Sequence, residues 1–180
     1  MKIYTKKGDS GTTGLYRGER VLKSAPQIEI NGAVDEAQSF IGLARSELLS
    51  DSELNTDLKM IEKDLWILMA EVATSRSSKV QPKIGVDKVS SQMVTKLETL
   101  TDQYSAKFEM PREFVVPGEN KQAALLDVAR TVVRRAERQV VQHMEANSES
   151  YILPYLNRLS DLLWTLSRYL EQGSVIAKEI

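Results

Sequence analysis

Apolar residues return every three or four positions along most of the chain, with polar residues between them. The first stripe is Ile30, Ala33, Val34, Ala37, Ile41, Ala44 and Leu48, one face of a 3.6-residue period. Ser24 with Pro26 and Gln27 behind it predicts a capping-box start to this helix. A second stripe runs through Leu54, Leu58, Ile61, Leu65, Leu68 and Val72, and residues 46–71 carry seven acids against Lys59 and Lys63. That helix is expected to turn an acidic, solvated face outward. Residues 75–88 have no period and predict a loop. A weaker helical pattern covers Asp87 to Ala106, after which Pro111 and Pro117 force extended or turning chain. A fourth helix, Lys121 to Ala146, should point Leu125, Val128, Ala129, Val132, Ala136 and Val140 inward. A fifth, with Pro154 in its first turn and ending at Glu171, should bury Leu156, Leu159, Leu163, Leu166 and Leu170, with Gly173 beyond its end. No strand pattern or internal repeat is visible. The expectation is an all-α, up-and-down bundle of five helices in one domain spanning 1–180: a flexible leader over 1–23, helices over 24–172 and a tail over 173–180.

Composition narrows the chemistry. The 180 residues are 42% hydrophobic and 27% charged, as in an ordinary soluble domain. With no cysteine, disulfides, thiolate metal sites and thiol nucleophiles are excluded. The opening residues lack the apolar run of a signal peptide, and no run suits a membrane span, so a cytoplasmic protein is expected. A net charge of −1 argues against nucleic acid or anionic membrane as a partner. Charge is nevertheless uneven: residues 1–23 hold six Lys/Arg against Asp9 and Glu19, and residues 130–138 hold four Arg against Glu137. Two basic islands in a near-neutral chain point to a localised anion.

The outer faces of the helices sharpen this. Arg130, Arg134 and Arg138 fall at i, i+4 and i+8 with Arg135 beside them, a spacing at which like charges repel. Asp127 and Glu137 offset part of it. Either the face is solvated and salt-bridged, or a neighbouring carboxylate and a polyphosphate complete it, which the bidentate fork of Arg suits. On the fifth helix Asn157, Asp161, Trp164 and Arg168 line the side opposite the leucines; this is either surface or a polar subunit interface. On the first, Asp35, Ser39 and Gly42 share a face, and Gly32 and Gly42 leave room for close approach. The leader, TKKGDSGTTGL over Thr5–Leu15, does not satisfy the P-loop pattern. Still, Gly8, Gly11 and Gly14 let backbone N–H groups curl round phosphate oxygens, with Thr5, Thr12 and Thr13 adding hydroxyls and Lys6 and Lys23 adding charge. Taken alone, it suits a mobile tail as well.

Thr-x-x-Gly-Asp-x-Gly-x-Thr at Thr5–Thr13, Arg20-Val-x-Lys23, Gly32-x-x-Asp35-Glu36, Phe114-x-x-Pro117-Gly118, Ala129-Arg130-Thr131-x-x-Arg134-Arg135-x-Glu137-Arg138 and Tyr155-x-Asn157-Arg158-Leu159-Ser160-Asp161 occur in series. This series resembles the PduO-type ATP:cob(I)alamin adenosyltransferases from about residue 5 to 170. The resemblance implies a ferritin-like bundle assembled as a homotrimer with active sites between subunits. It implies ATP, Mg²⁺ and a reduced corrinoid as reactants, with adenosylcobalamin and triphosphate as products. It also implies a flavin reductase upstream and an adenosylcobalamin-dependent enzyme downstream. Thr5, Lys6, Gly8, Asp9, Gly11, Thr12, Thr13 and Lys23 would wrap the triphosphate, ordering when ATP and Mg²⁺ bind, with no dedicated protein metal site. Arg134 would hold phosphates, Arg130 would pair with Asp35 of the next subunit, Glu137 and Asn157 would position the nucleotide, and Phe114 would pack under the corrin. His143 would be an ordinary residue of the fourth helix. Asn31 and Ala37-Gln38 depart from the family's usual aromatic and Leu-Asn, which touches helix packing near the corrin. A non-catalytic carrier or sensor of adenosylcobalamin or ATP on the same bundle is the alternative.

Overall fold

The computed structural model describes residues 2–75, 78–144, 149–171 and 173–180. Five helices carry the fold: α1 (Pro26–Ser46), α2 (Glu53–Val72), α3 (Ser91–Ser105), α4 (Lys121–His143) and α5 (Ile152–Glu171). They alternate in direction. In space α4 lies between α1 and α5, α2 flanks α1, and α3 flanks α5, so the 106–120 link crosses one end of the bundle. The predicted fourth helix ran on to Ala146; residues 145–148 lie outside the described ones, as do Arg76 and Ser77 of the loop.

The apolar stripes become the core. Every residue of the second stripe is buried, and so are Ile30, Ala33, Val34, Ala37, Ile41 and Ala44 of the first. On α4 the inward set shifts by a fraction of a turn. Leu126 and Val133 are fully buried, while Val128 is exposed and Leu125 only partly covered. The cause is that α4 is gripped on two sides, by α1 and by α5, so its buried arc is wider than one stripe. The same wrapping buries Leu162 and Tyr155 on α5.

The caps differ from expectation at α1. Ser24 does not cap it: Ala25 holds the N-cap position with no side-chain bond, and Pro26 stands in the first turn. Proline there needs no N–H partner and presets φ, so the helix starts without a cap. α2 and α4 are capped, Ser52 Oγ accepting from Asn55 N and Asn120 Oδ1 from Ala123 N. α3 begins at Ser91, later than expected, because Asp87 is buried in the preceding turn and accepts from Lys83 N.

Short strands, unseen in the sequence, appear at both ends of the chain. β1 (Thr12–Gly14) pairs antiparallel with β2 (Arg20–Leu22). β3 (Val115–Val116) pairs with β4 (Val175–Ile176), so residues 173–180 fold back onto the crossing link. Strands of two or three residues carry no readable alternation, which is why only the structure finds them.

The acidic face of α2 is partly internal. Asp64 is buried and accepts from Tyr155 Oη at 3.3 Å. Asp57 accepts from Tyr104 Oη at 2.8 Å. Glu71 takes Val89 N at 2.6 Å and Ser150 Oγ at 2.9 Å. Solvation therefore explains fewer of these acids than the charge count alone predicts. Among the described residues no helix is long and apolar enough to cross a membrane.

Candidate active site

The leader is tied down at its far end and open at its near end. Tyr16 N donates to Ala73 O at 3.0 Å, Ser75 N donates to Arg17 O at 3.0 Å, and the Arg17 guanidinium meets Asp87 at 2.5 Å. Arg20 closes the turn: its Nη2 donates to Lys7 O at 2.6 Å and to Thr12 Oγ1 at 2.8 Å. Lys6 and Gly11 both have positive φ, 59° and 77°, a conformation glycine adopts without strain. Gly8 lies under Lys23, where an added Cβ would come 3.2 Å from Nζ. The result is a curled strap whose exposed Thr5, Lys6, Asp9 and Lys23 face solvent.

α4 and α5 supply the second part. Asn157 Nδ2 donates to Glu137 Oε1 at 3.0 Å, joining two residues that the sequence separates by a whole loop. Arg134 is exposed and makes no ion pair or hydrogen bond with another described residue. Arg135 pairs with Glu36 across to α1. That contact and Lys121–Glu47 at 2.7 Å set α1 antiparallel to α4, which turns the C-terminal half of α4 toward the leader end of the bundle. His143 is exposed at the close of α4.

The third part is a groove of about 570 Å³ under the crossing link, lined by Phe114, Val115, Arg130, Trp164, Asp127 and Arg168 among others. Phe114 is 87% exposed, and it is held there by its backbone: Ala177 N donates to Phe114 O at 2.8 Å beside the β3–β4 pair. A large apolar side chain displayed in this way has area to bury against a ligand or partner. Arg130 Nε donates to Asp127 Oδ1 at 2.9 Å, and Arg168 Nη2 donates to Asp127 Oδ2 at 2.6 Å.

Within one protomer, then, Phe114 and Arg130 share a groove, Glu137 and Asn157 share a hydrogen bond, and the leader residues form a cluster of their own. Asp35 is exposed on α1 and makes no ion pair with a described residue. Gly42 serves packing, since Glu62 Oε1 would stand 3.3 Å from a Cβ there, and Gly32 opens to solvent. Asn31 donates to Met69 O at 3.2 Å, tying α1 to α2. Asp127, Trp164 and Arg168 were expected only to offset the arginines or to line a surface or subunit-interface face; instead they line this groove, and Arg168 is buried against Asp127 within the protomer. Their spacing held a signal, because Asp127 precedes Arg130 by one turn and Trp164 precedes Arg168 by one turn.

A strap of glycine and threonine, a row of arginine forks and a groove lined by Phe114, Val115, Trp164 and charged side chains lie on one helical bundle, an arrangement with donors suited to an anion. The description "cobalamin adenosyltransferase" belongs to the family that matches residues 3–170. A corrinoid adenosyltransferase of Bacillus subtilis is 38% identical over 180 residues, covering 98% of this chain and 90% of that protein. The PduO corrinoid adenosyltransferase of Salmonella typhimurium is 37% identical over 93% of this chain, which spans about half of that protein, 49%. A variant PduO-type ATP:corrinoid adenosyltransferase of Lactobacillus reuteri, complexed with cobalamin and ATP, superimposes with a TM-score of 0.88 at 31% identity, covering 98% of this chain and 97% of that one. The chain belongs to the cobalamin adenosyltransferase family.

Proposed function

We propose that the chain transfers the 5′-deoxyadenosyl group of ATP to the cobalt of a reduced corrinoid. The cobalt(I) lone pair forms the Co–C bond, the C5′–O bond breaks, and its electron pair leaves on triphosphate. One observation carries this reading: Phe114 and Arg130 line one groove, and the helix that holds Arg130 continues to Arg134, which pairs with no described residue, and to the Glu137–Asn157 bond.

The leader strap would close over the phosphates with backbone N–H groups, threonine hydroxyls and Lys23. Arg134 would take charge as it develops on the departing triphosphate, in a site already organised for it. Glu137, oriented by Asn157, would set the nucleotide so that C5′ faces the groove. Phe114 would pack under the corrin and exclude water from that face. Among the described residues no cluster of three acids or histidines could hold a metal ion. Mg²⁺ would enter with ATP on the phosphate oxygens and water.

Among the described residues Arg130 uses only Nε and Asp35 makes no ion pair; a homotrimer in which each Arg130 meets the next subunit's Asp35 would complete both. A flavin reductase would supply the reduced corrinoid, and an adenosylcobalamin-dependent enzyme would take the product, both in the cytoplasm. The test is anaerobic incubation of the purified protein with ATP, Mg²⁺ and reduced cobalamin. A light-sensitive Co–C product is expected; tight binding of ATP and corrinoid without turnover would make the protein a carrier and overturn the catalytic reading.

A further inference from the structure

Arg168 stands in α5 with 2% of its surface exposed, facing Asp127 on α4, itself 5% exposed. Taking a guanidinium and a carboxylate out of water costs several kcal/mol per ion, and apolar side chains of similar size often pack such a place as well. The bundle therefore needs a reason to keep charge there. Arg168 Nη2 donates to Asp127 Oδ2 at 2.6 Å and to Glu171 Oε1 at 2.7 Å. Asp127 turns its other oxygen to Arg130 Nε at 2.9 Å. One carboxylate thus bridges a buried guanidinium and a half-buried one. Arg130 is held by Nε alone, and its two terminal nitrogens bond no described residue. The Arg168 guanidinium also lies 5.7 Å from the centre of the Trp164 ring, and Trp164, Asp127, Arg130 and Phe114 line one groove.

We propose that Asp127 and Arg168 are positioning residues for the transfer reaction: together they aim the Arg130 fork out of α4 and hold Trp164 against the Phe114 groove. This rests on the transferase reading given above. Neither residue needs to touch substrate. Arg168 fixes Asp127, Asp127 fixes the Nε edge of Arg130, and the fork's opposite edge is left free for a carboxylate or a phosphate.

The experiment is a comparison of four variants in the full-length protein. Asp127→Leu combined with Arg168→Met and Glu171→Gln removes all three charges of the cluster while keeping volume, so that no buried Glu171 carboxylate is left without its guanidinium. Its expected behaviour is a melting temperature close to that of the parent, with kcat/KM for the corrinoid reduced about 10- to 100-fold, the loss that a misplacement of roughly 1 Å produces. Full stability together with full activity would overturn the proposal, since the pair would then be structural only. Should that variant not fold, Asp127→Asn and Arg130→Ala, singly and together, decide the matter. Asp127→Asn is expected to cost activity alone and nothing further when Arg130 is already Ala; additive losses would overturn the link. A readout independent of turnover comes from Trp164, made the sole tryptophan by Trp66→Phe at an exposed position of α2. Hydroxocobalamin bound in the groove that Trp164 lines should quench it, and Asp127→Asn should need about ten-fold more hydroxocobalamin for half quenching; an unchanged titration contradicts the proposal. If the parent binds corrinoid yet transfers nothing, the transferase reading falls and the quenching comparison still decides the positioning role.

Discussion

Asn157 and Glu137 meet across α4 and α5 at 3.0 Å, and the Asn157 carbonyl in turn accepts from Arg158 Nη1 at 2.6 Å. The amide is held at both ends, so it fixes one oxygen of Glu137 and leaves the other for a ligand. Asn157→Asp would set two carboxylates against each other. The expected result is a rise in KM for ATP of about ten-fold, from roughly 1.4 kcal/mol of lost orientation, with little change in KM for the corrinoid. Steady-state kinetics with each substrate varied in turn checks it.

Arg134 separates function from folding. It is exposed and bonds no described residue, so Arg134→Ala should alter unfolding free energy by no more than about 0.5 kcal/mol. Loss of a donor aimed at developing charge typically lowers kcat about 10²- to 10³-fold. Arg134→Lys should recover little, because a single ammonium does not reproduce the planar fork. Urea unfolding and single-turnover rates on the same preparations test both halves.

Phe114 gives the complementary case. At 87% exposure it contributes little to the folded protomer, yet covering it on binding is worth about 1.5–3 kcal/mol. Phe114→Ala should therefore weaken corrinoid binding roughly ten- to hundred-fold while the melting temperature stays put. Deleting residues 173–180 removes β4 and the Ala177–Phe114 backbone bond, and it should weaken corrinoid binding in the same direction with Phe114 itself intact. Equilibrium titration with hydroxocobalamin measures both.

pH dependence should show at the alkaline end. Burial, followed by the charge and hydrogen bond of Asp64, pushes the Tyr155 hydroxyl well above its ordinary value of 10.0. Burial, followed by Asp57, raises Tyr104 too. Above the unfolded value the native state holds more protons than the unfolded state, so stability is fully present below about pH 10 and is lost as pH rises beyond it. Absorbance at phenolate wavelengths should show these two tyrosines ionising only as helical circular dichroism disappears. Asp64 is raised as well, by desolvation first, so its charge works against folding, and Asp64→Asn should raise the melting temperature at neutral pH.

The helices were legible because burial on one side leaves a periodic trace, and α2 kept its stripe in full. α4 did not: contact with two neighbours widens its buried arc, so Leu126 and Val133 went inward where Val128 was expected. The series of motifs put Arg134, Glu137 and Asn157 forward as candidates, and the structure joins Glu137 to Asn157. Asp127, Trp164 and Arg168 were not readable as a group, because their meeting depends on the register of α4 against α5. Register is a property of packed helices, and one chain's spacing does not encode it. The fastening of Phe114 by β4 was hidden for the same reason, since its partners lie some sixty residues apart in sequence.

The leaving group tests the central claim most directly. Phosphorus NMR of an anaerobic reaction containing ATP, Mg²⁺ and reduced cobalamin should show one intact triphosphate for each Co–C bond formed, because in the proposed function the arginine face and the leader would hold all three phosphates as a unit. ADP accumulating in its place would mean that a P–O bond is broken instead of C5′–O, and pyrophosphate with monophosphate would mean that the three phosphates are not kept as a unit; either would contradict the account.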